Sequence, residues 1–277
     1  MSEPRHEPSL ETFCRLAKHH TVVPVYRTLL ADMLTPVSAF EKLSERDYAF
    51  LLESASGGEK IGRYSFLGAD PMMLFQAKRR EVQVTREGEV RRYEAEDPIK
   101  ELEGLVSAYR AAHLPELPRF SGGAVGYFGY DTVRYIERLP NAPPDELGVP
   151  DMFFMFFDMM LVFDHLNKTL MVINSACTDA TDPRKVYEQA VTRIDETVER
   201  LRTPVIKLAD DITPRGDVKM AHESNFGQAQ FEAAVEKCKE YIYAGDIFQV
   251  VLSQRLSART KADPFDIYRA LRVINPS

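Results

Sequence analysis

The sequence contains no CxxC pair, and its three cysteines, Cys14, Cys177 and Cys238, stand far apart. An odd and sparse count argues against a disulfide framework and fits a reducing cytosol. The six histidines show no metal-ligand spacing, and the neighbours His19 and His20 cannot face one site from a helix. Neither GxGxxG nor GxxxxGK(S/T) occurs, so the two common phosphate-binding glycine loops are absent. No run of about 18 apolar residues exists, so no membrane span is expected. Basic charge is in deficit, with 35 Lys and Arg against 42 Asp and Glu and a net charge of -7. Phosphate neutralisation needs a basic surface, so no nucleic-acid partner is expected. The opening MSEPRHEPSLETF is acidic and polar, unlike a signal or transit peptide. These absences predict a soluble, cytoplasmic protein.

What is present is a chain of 277 residues, 44% hydrophobic, long enough for one large domain or two small ones. Helices are expected over Leu10 to Lys18 behind a Ser9 cap, after Thr35-Pro36, after Asp97-Pro98, over Pro183 to Arg202, over Asn225 to Ala244 behind a Ser224 cap, and from Asp263-Pro264 to about Val273. TVVPVYRTLL and Tyr48 to Ser54 read as strands. Glu81 to Arg86 and Glu89 to Tyr93 form a hairpin around Glu87-Gly88. Asp151 to Ala176 reads as one long hairpin turning near Asn167-Lys168, its inner strand so apolar that both faces must be covered. Hairpins with helices grouped around them argue for an α+β fold of antiparallel sheets packed face to face and surrounded by helices. Thr203 to Ser224 is aperiodic, with Pro204, Pro214 and Gly216, and reads as a linker between residues 1–202 (core about 25–165) and 225–277.

Three stretches carry candidate chemistry. LLESASGGEKIGRYSF, Leu51 to Phe66, delivers Glu53 and Ser54 to a glycine loop. A carboxylate beside a hydroxyl can hold an ammonium group, although spacing alone favours a strand end with a solvated loop. SGGAVGYFGYD, Ser121 to Asp131, removes side chains at several strand positions and reads as a kinked strand packed on a neighbour. GDIFQVVLSQRLS, Gly245 to Ser257, reads as a strand from Phe248 to Leu256. Alternation would put Gln249, Val251, Ser253 and Arg255 on one face, as either a polar binding wall or an edge strand facing water. Arg255 could hold a carboxylate in a two-pronged fashion.

Taken together, LLES, GRYSFLGADP, GGAVGYFGYD, SNFGQAQFEAAVEKCKEYIYAGDIFQVVLSQRL and the terminal ALRVINPS resemble the large subunit of anthranilate synthase, component I, over nearly the whole chain from about Val25. The resemblance implies a chain that stops within the chorismate-binding domain. The implied reaction amines chorismate with ammonia, eliminates pyruvate and yields anthranilate, in the first committed step of tryptophan synthesis. It implies Mg2+, with ligands beyond residue 277 and none in this chain. It also implies a glutamine amidotransferase partner in a hetero-oligomer, and tryptophan as feedback inhibitor. Gln249 matches the position where related enzymes that add water carry a lysine, and is expected to orient substrate. Arg255 is expected to bind substrate. Glu53, Ser54, Asn275, Pro276 and Ser277 match the feedback site, with Arg63 and Tyr64 near it. The alternatives are the aminodeoxychorismate branch of folate synthesis, whose strand reads closer to QVNL than to QVVLSQR, and, for the chain alone, a non-catalytic tryptophan-binding regulatory domain.

Overall fold

The computed structural model describes residues 5–43, 48–54, 62–178, 182–204 and 220–275. They form two compact units, Met1–Ile206 and Lys207–Ser277.

The first unit contains two five-stranded antiparallel sheets. One has the order β1 (Val22–Leu30), β10 (Thr169–Cys177), β9 (Met159–Asp164), β3 (Tyr64–Ala69), β2 (Ala49–Glu53). The other runs β6 (Glu89–Glu94), β5 (Glu81–Arg86), β4 (Met73–Lys78), β8 (Met152–Phe157), β7 (Gly123–Phe128). The fold is thus the expected α+β arrangement of antiparallel sheets. Helices α1 (Leu10–Leu16), α2 (Pro36–Leu43) and α4 (Pro183–Arg202) cover one face of the first sheet, where Phe13, Ala39, Leu67, Phe163 and Ile194 are buried together. Helix α3 (Pro98–Ser107) covers one face of the second over Phe75, Met152 and Phe156. Strands of both sheets meet in a third cluster of Phe50, Phe157 and Met160, joined by Phe66 and Val125. Each buried ring of this kind contributes roughly 1.5–3 kcal/mol.

Local signals act as the sequence predicts. Ser9 Oγ accepts from Thr12 N, and Glu87 and Gly88 both take positive φ in the two-residue turn between β5 and β6. Asp97 Oδ1 accepts from Ile99 N at 3.1 Å and Lys100 N at 3.2 Å, with Pro98 at the first helical position. Asp97→Ala should therefore cost about 1 kcal/mol in thermal melts, whereas Asp97→Asn, which keeps an acceptor, should cost less. Gly126 is required by close packing. A Cβ there would lie 1.9 Å from the Phe153 carbonyl oxygen, a backbone atom that cannot step aside.

The long inner strand divides. Met152 to Asp164 serves two sheets, broken at Asp158, and only β9 and β10 form a hairpin. Asp158 is the one charged residue inside the apolar run. Both of its oxygens are taken by Arg193 of α4, one at 3.0 Å, and that ion pair marks the crossover. The run is apolar throughout because each half is an interior strand, β8 between β4 and β7, β9 between β10 and β3.

The second unit is small. Its helices are α5 (Gln228–Ala244) and α6 (Pro264–Ile274), and neither buries a residue. Helix α5 begins later than expected, with Gly227 as its cap. Ser224 lies instead in β11 (Glu223–Ser224), which pairs with β12 (Leu256–Ser257), and its hydroxyl accepts from Phe226 N. Gly245 ends α5 in the left-handed conformation, as predicted. The expected strand from Phe248 to Leu256 is absent: among the described residues only Leu256 of that stretch joins a ladder. A strand needs a neighbouring strand to hydrogen-bond it, and among the described residues none pairs with 248–255, although the Arg255 backbone bonds Asn225; Phe248 and Val251 are exposed.

Candidate functional site

Strand β2 lies at the edge of the first sheet, and its last residue is Glu53. Register places Glu53 opposite Ser65 of β3, and Tyr64 opposite Asp164 of β9. The ends of three strands therefore bring Glu53, Ser54, Arg63, Ser65, Asp164 and His165 to one end of the sheet. Directly opposed residues share a face, so Glu53 and Ser65 stand side by side. Ser65 is 1% exposed, and its hydroxyl lies 2.7 Å from His165 Nε2.

Asp164, also 1% exposed, is the anchor of this end. Its Oδ2 accepts from Arg63 Nη2 at 2.7 Å, Arg63 Nε at 3.1 Å and Asn167 Nδ2 at 2.9 Å. Its Oδ1 accepts from the backbone N–H groups of Leu166 at 3.0 Å and Asn167 at 3.1 Å, which shapes the β9–β10 turn. Burial pushes the Asp164 carboxyl up, but the hydrogen bonds from Arg63 and Asn167 outweigh it and hold the group below its ordinary range. The hydrogen bond to Asp164 in turn raises Arg63. The Arg63 guanidinium carbon lies 4.7 Å from the centre of the Tyr64 ring. By the same rule Tyr64 and Asp164 share the other face, so this sheet end carries two polar groups: Glu53, Ser65 and His165 on one face, and the Asp164–Arg63 ion pair on the other. A carboxylate beside hydroxyls can hold an ammonium group.

Glu53 and Ser54 are both half-buried, and the loop 55–61 that follows lies outside the described residues. The sequence pointed to Glu53, Ser54, Arg63 and Tyr64. It did not single out Ser65, Asp164 or His165, which only strand register brings here. The available signal was DHLN, an acid and polar turn closing an apolar strand.

In the second unit Gln249 is exposed on irregular chain. Arg255 is half-buried, and its backbone is bracketed by Asn225: Arg255 N donates to Asn225 Oδ1 at 2.8 Å, and its carbonyl accepts from Asn225 N at 3.1 Å. Without a strand the two do not share a sheet face as the alternation implied. Gln254 is held as well, its Nε2 donating to Ser224 Oγ at 2.7 Å. Asn275 closes α6, with its N–H donating to Leu271 O at 2.8 Å, while Pro276 and Ser277 lie outside the described residues. Among the described residues no group of three or more His, Cys, Asp or Glu side chains could hold a metal ion, and no helix is long and apolar enough to cross a membrane.

Residues 47–277 match the family described as chorismate binding enzyme. The chain is 42% identical over 274 residues to anthranilate synthase component 1 of Acetivibrio thermocellus, covering 98% of this chain and 55% of that protein. It is 40% identical over 274 residues to the protein of the same name from Pseudomonas aeruginosa, covering 96% and 55%. Among solved structures it is similar to the crystal structure of anthranilate synthase component I from Streptococcus pneumoniae, with a TM-score of 0.65 and 31% identity over 90% of this chain and 52% of that one. The chain therefore spans about half the length of the curated relatives it matches.

Proposed function

Because the chain belongs to the chorismate binding enzyme family, we propose that it acts in the anthranilate synthase reaction. Chorismate and ammonia give anthranilate, pyruvate and water: a C–N bond forms on the ring, the ring hydroxyl leaves, and the enolpyruvyl group departs as pyruvate. The observation that carries this reading is the 42% and 40% identity, over 98% and 96% of this chain, to two proteins named anthranilate synthase component 1.

In this reading residues 1–202 form the N-terminal domain, 203–224 a linker, and 225–277 the start of the chorismate-binding domain. Gln249 orients substrate by hydrogen bonding. A neutral amide is no practical base, which suits a nucleophile that arrives already reactive, as ammonia supplied by a glutamine amidotransferase subunit. Arg255 holds a substrate carboxylate. Glu53 and Ser54 receive the amino acid tryptophan as inhibitor, with the ammonium on the Glu53 carboxylate. The roles of Asn275, Pro276 and Ser277 at that inhibitory site rest on the sequence resemblance. The described residues offer magnesium no ligand set.

A fusion tests the reading. The chain is joined after Ser277 to the portion of the Acetivibrio thermocellus relative that it does not cover, then given chorismate, ammonium and magnesium. Chromatography should find anthranilate and pyruvate in equal amounts. A product aminated para to the carboxylate would move the protein to the aminodeoxychorismate branch, and no aminated product at all would remove the activity.

A further inference from the structure

A cavity of about 260 Å³ opens beside Asp158, where the chain crosses from one sheet to the other. It lies away from the Glu53 end. Asp158 precedes β9 and Asp164 closes it, so the two ends are separated by roughly 20 Å of strand at about 3.3 Å per residue. The floor is aromatic, with Phe156 and Phe157 from β8, and Tyr109 and Val106 form a wall at the end of α3. Gly122 lets the base close up. A Cβ there would stand 2.5 Å from Ser175 Oγ, so the glycine backbone rests against β10.

The polar groups on the lining are few. Among the described residues Asp158 is the only carboxylate on the lining, and Arg193 clasps both its oxygens, so it offers no open negative charge. Arg119 also lines the cavity. Among the described residues its guanidinium makes no hydrogen bond and no ion pair, and the Ser121 hydroxyl beside it has no partner either. The cavity therefore combines a flat apolar body with one open cation and one open hydroxyl at its rim.

We infer that this cavity is a binding site for a small aromatic carboxylate. The ring lies among Tyr109, Phe156 and Phe157, where edge and face contacts favour a flat π system. The carboxylate takes a two-pronged hydrogen bond from Arg119 and one from the Ser121 hydroxyl. At about 260 Å³ the cavity exceeds the roughly 150 Å³ that admits one benzene ring. A polyhydroxylated ligand would find too few partners. A cationic ligand would meet an unopposed guanidinium.

The inference is independent of the proposed reaction and is tested by binding. Calorimetry on the full chain compares 1-naphthoate with its neutral isostere 1-naphthamide. Naphthoate should bind the parent, and Arg119→Gln should weaken it at least tenfold, as expected for losing a charge-assisted pair. Naphthamide should bind the parent and Arg119→Gln equally. Val106 is 47% exposed, so Val106→Trp can be accepted by the fold, and the larger side chain should exclude both probes. Naphthoate affinity unchanged by Arg119→Gln, or no naphthoate binding by the parent, would overturn the assignment.

Discussion

Replacing Asp164 by alanine is expected to lower the unfolding free energy by about 3 kcal/mol, read as a fall in the urea midpoint at constant slope. The carboxylate is 1% exposed and accepts five hydrogen bonds from Arg63, Leu166 and Asn167. Its removal strands two backbone N–H groups in the β9–β10 turn and leaves Arg63 without its counter-ion. The Arg63 side chain is 40% exposed, so water recovers part of its solvation, and the low end of the range for a broken buried pair applies. The same geometry fixes a pH dependence. The folded carboxyl sits below its ordinary range, so its contribution is complete above the unfolded value of about 3.9 and is lost as pH falls through the lower folded value. Asp164→Asn removes that titration. Between about pH 5 and 2 the parent should lose stability faster than the Asn variant, although other carboxylates titrate in both. Parallel loss in the two proteins would show that the Asp164 charge contributes nothing.

How far the sequence could foresee this arrangement depended on distance along the chain. The caps at Ser9, Asp97 and Asp263 were legible because an N-cap bonds a backbone group two or three residues on. The Glu87-Gly88 turn was legible because its backbone requirement is local. The break at Asp158 was not. An acid inside MFFDMML needs a partner, but the partner, Arg193, lies 35 residues away on a helix whose docking only the fold decides. Ser224 shows local ambiguity of another kind. A serine before a helical pattern can cap the helix or bond its own turn, and the pairing of Ser224 with Leu256 selects the turn. The alternation in FQVVLSQRL states which residues would share a face if a strand formed. It says nothing about whether a neighbour exists to hydrogen-bond it.

The candidate site divides in the same way. Glu53 and Ser54 emerged from resemblance to a family pattern, against a spacing that favoured an ordinary strand end. Ser65 and His165 entered only through register, because Glu53 is opposite Ser65 and the β9–β10 turn delivers the imidazole to that hydroxyl. A chemist reading the sequence sees a serine in a strand and a histidine 100 residues later. The pairing of β2, β3 and β9 makes them one group.

Under the proposed reading, Ser54→Phe should weaken tryptophan binding by thirty-fold or more. The residue follows the last position of β2, next to Glu53 at the polar end of the sheet, and is half-buried. Losing the hydroxyl removes one hydrogen bond, about 1 kcal/mol. The phenyl ring fills space the ligand's own ring would take, and overpacking adds about 1–3 kcal/mol. The sum, about 2–4 kcal/mol, corresponds to roughly thirty-fold to a thousand-fold. Ser54 lies outside the ladder, so the fold should lose little and melting should shift by far less than for Asp164→Ala. In the fusion protein, turnover without tryptophan should stay near the parent's while the tryptophan concentration giving half inhibition rises by the same factor, because an inhibitor acts on a distant reaction only through its differential affinity for two states. Equal inhibition of parent and variant would remove Ser54 from the inhibitory site, and a parent that binds no tryptophan by calorimetry would remove the site itself.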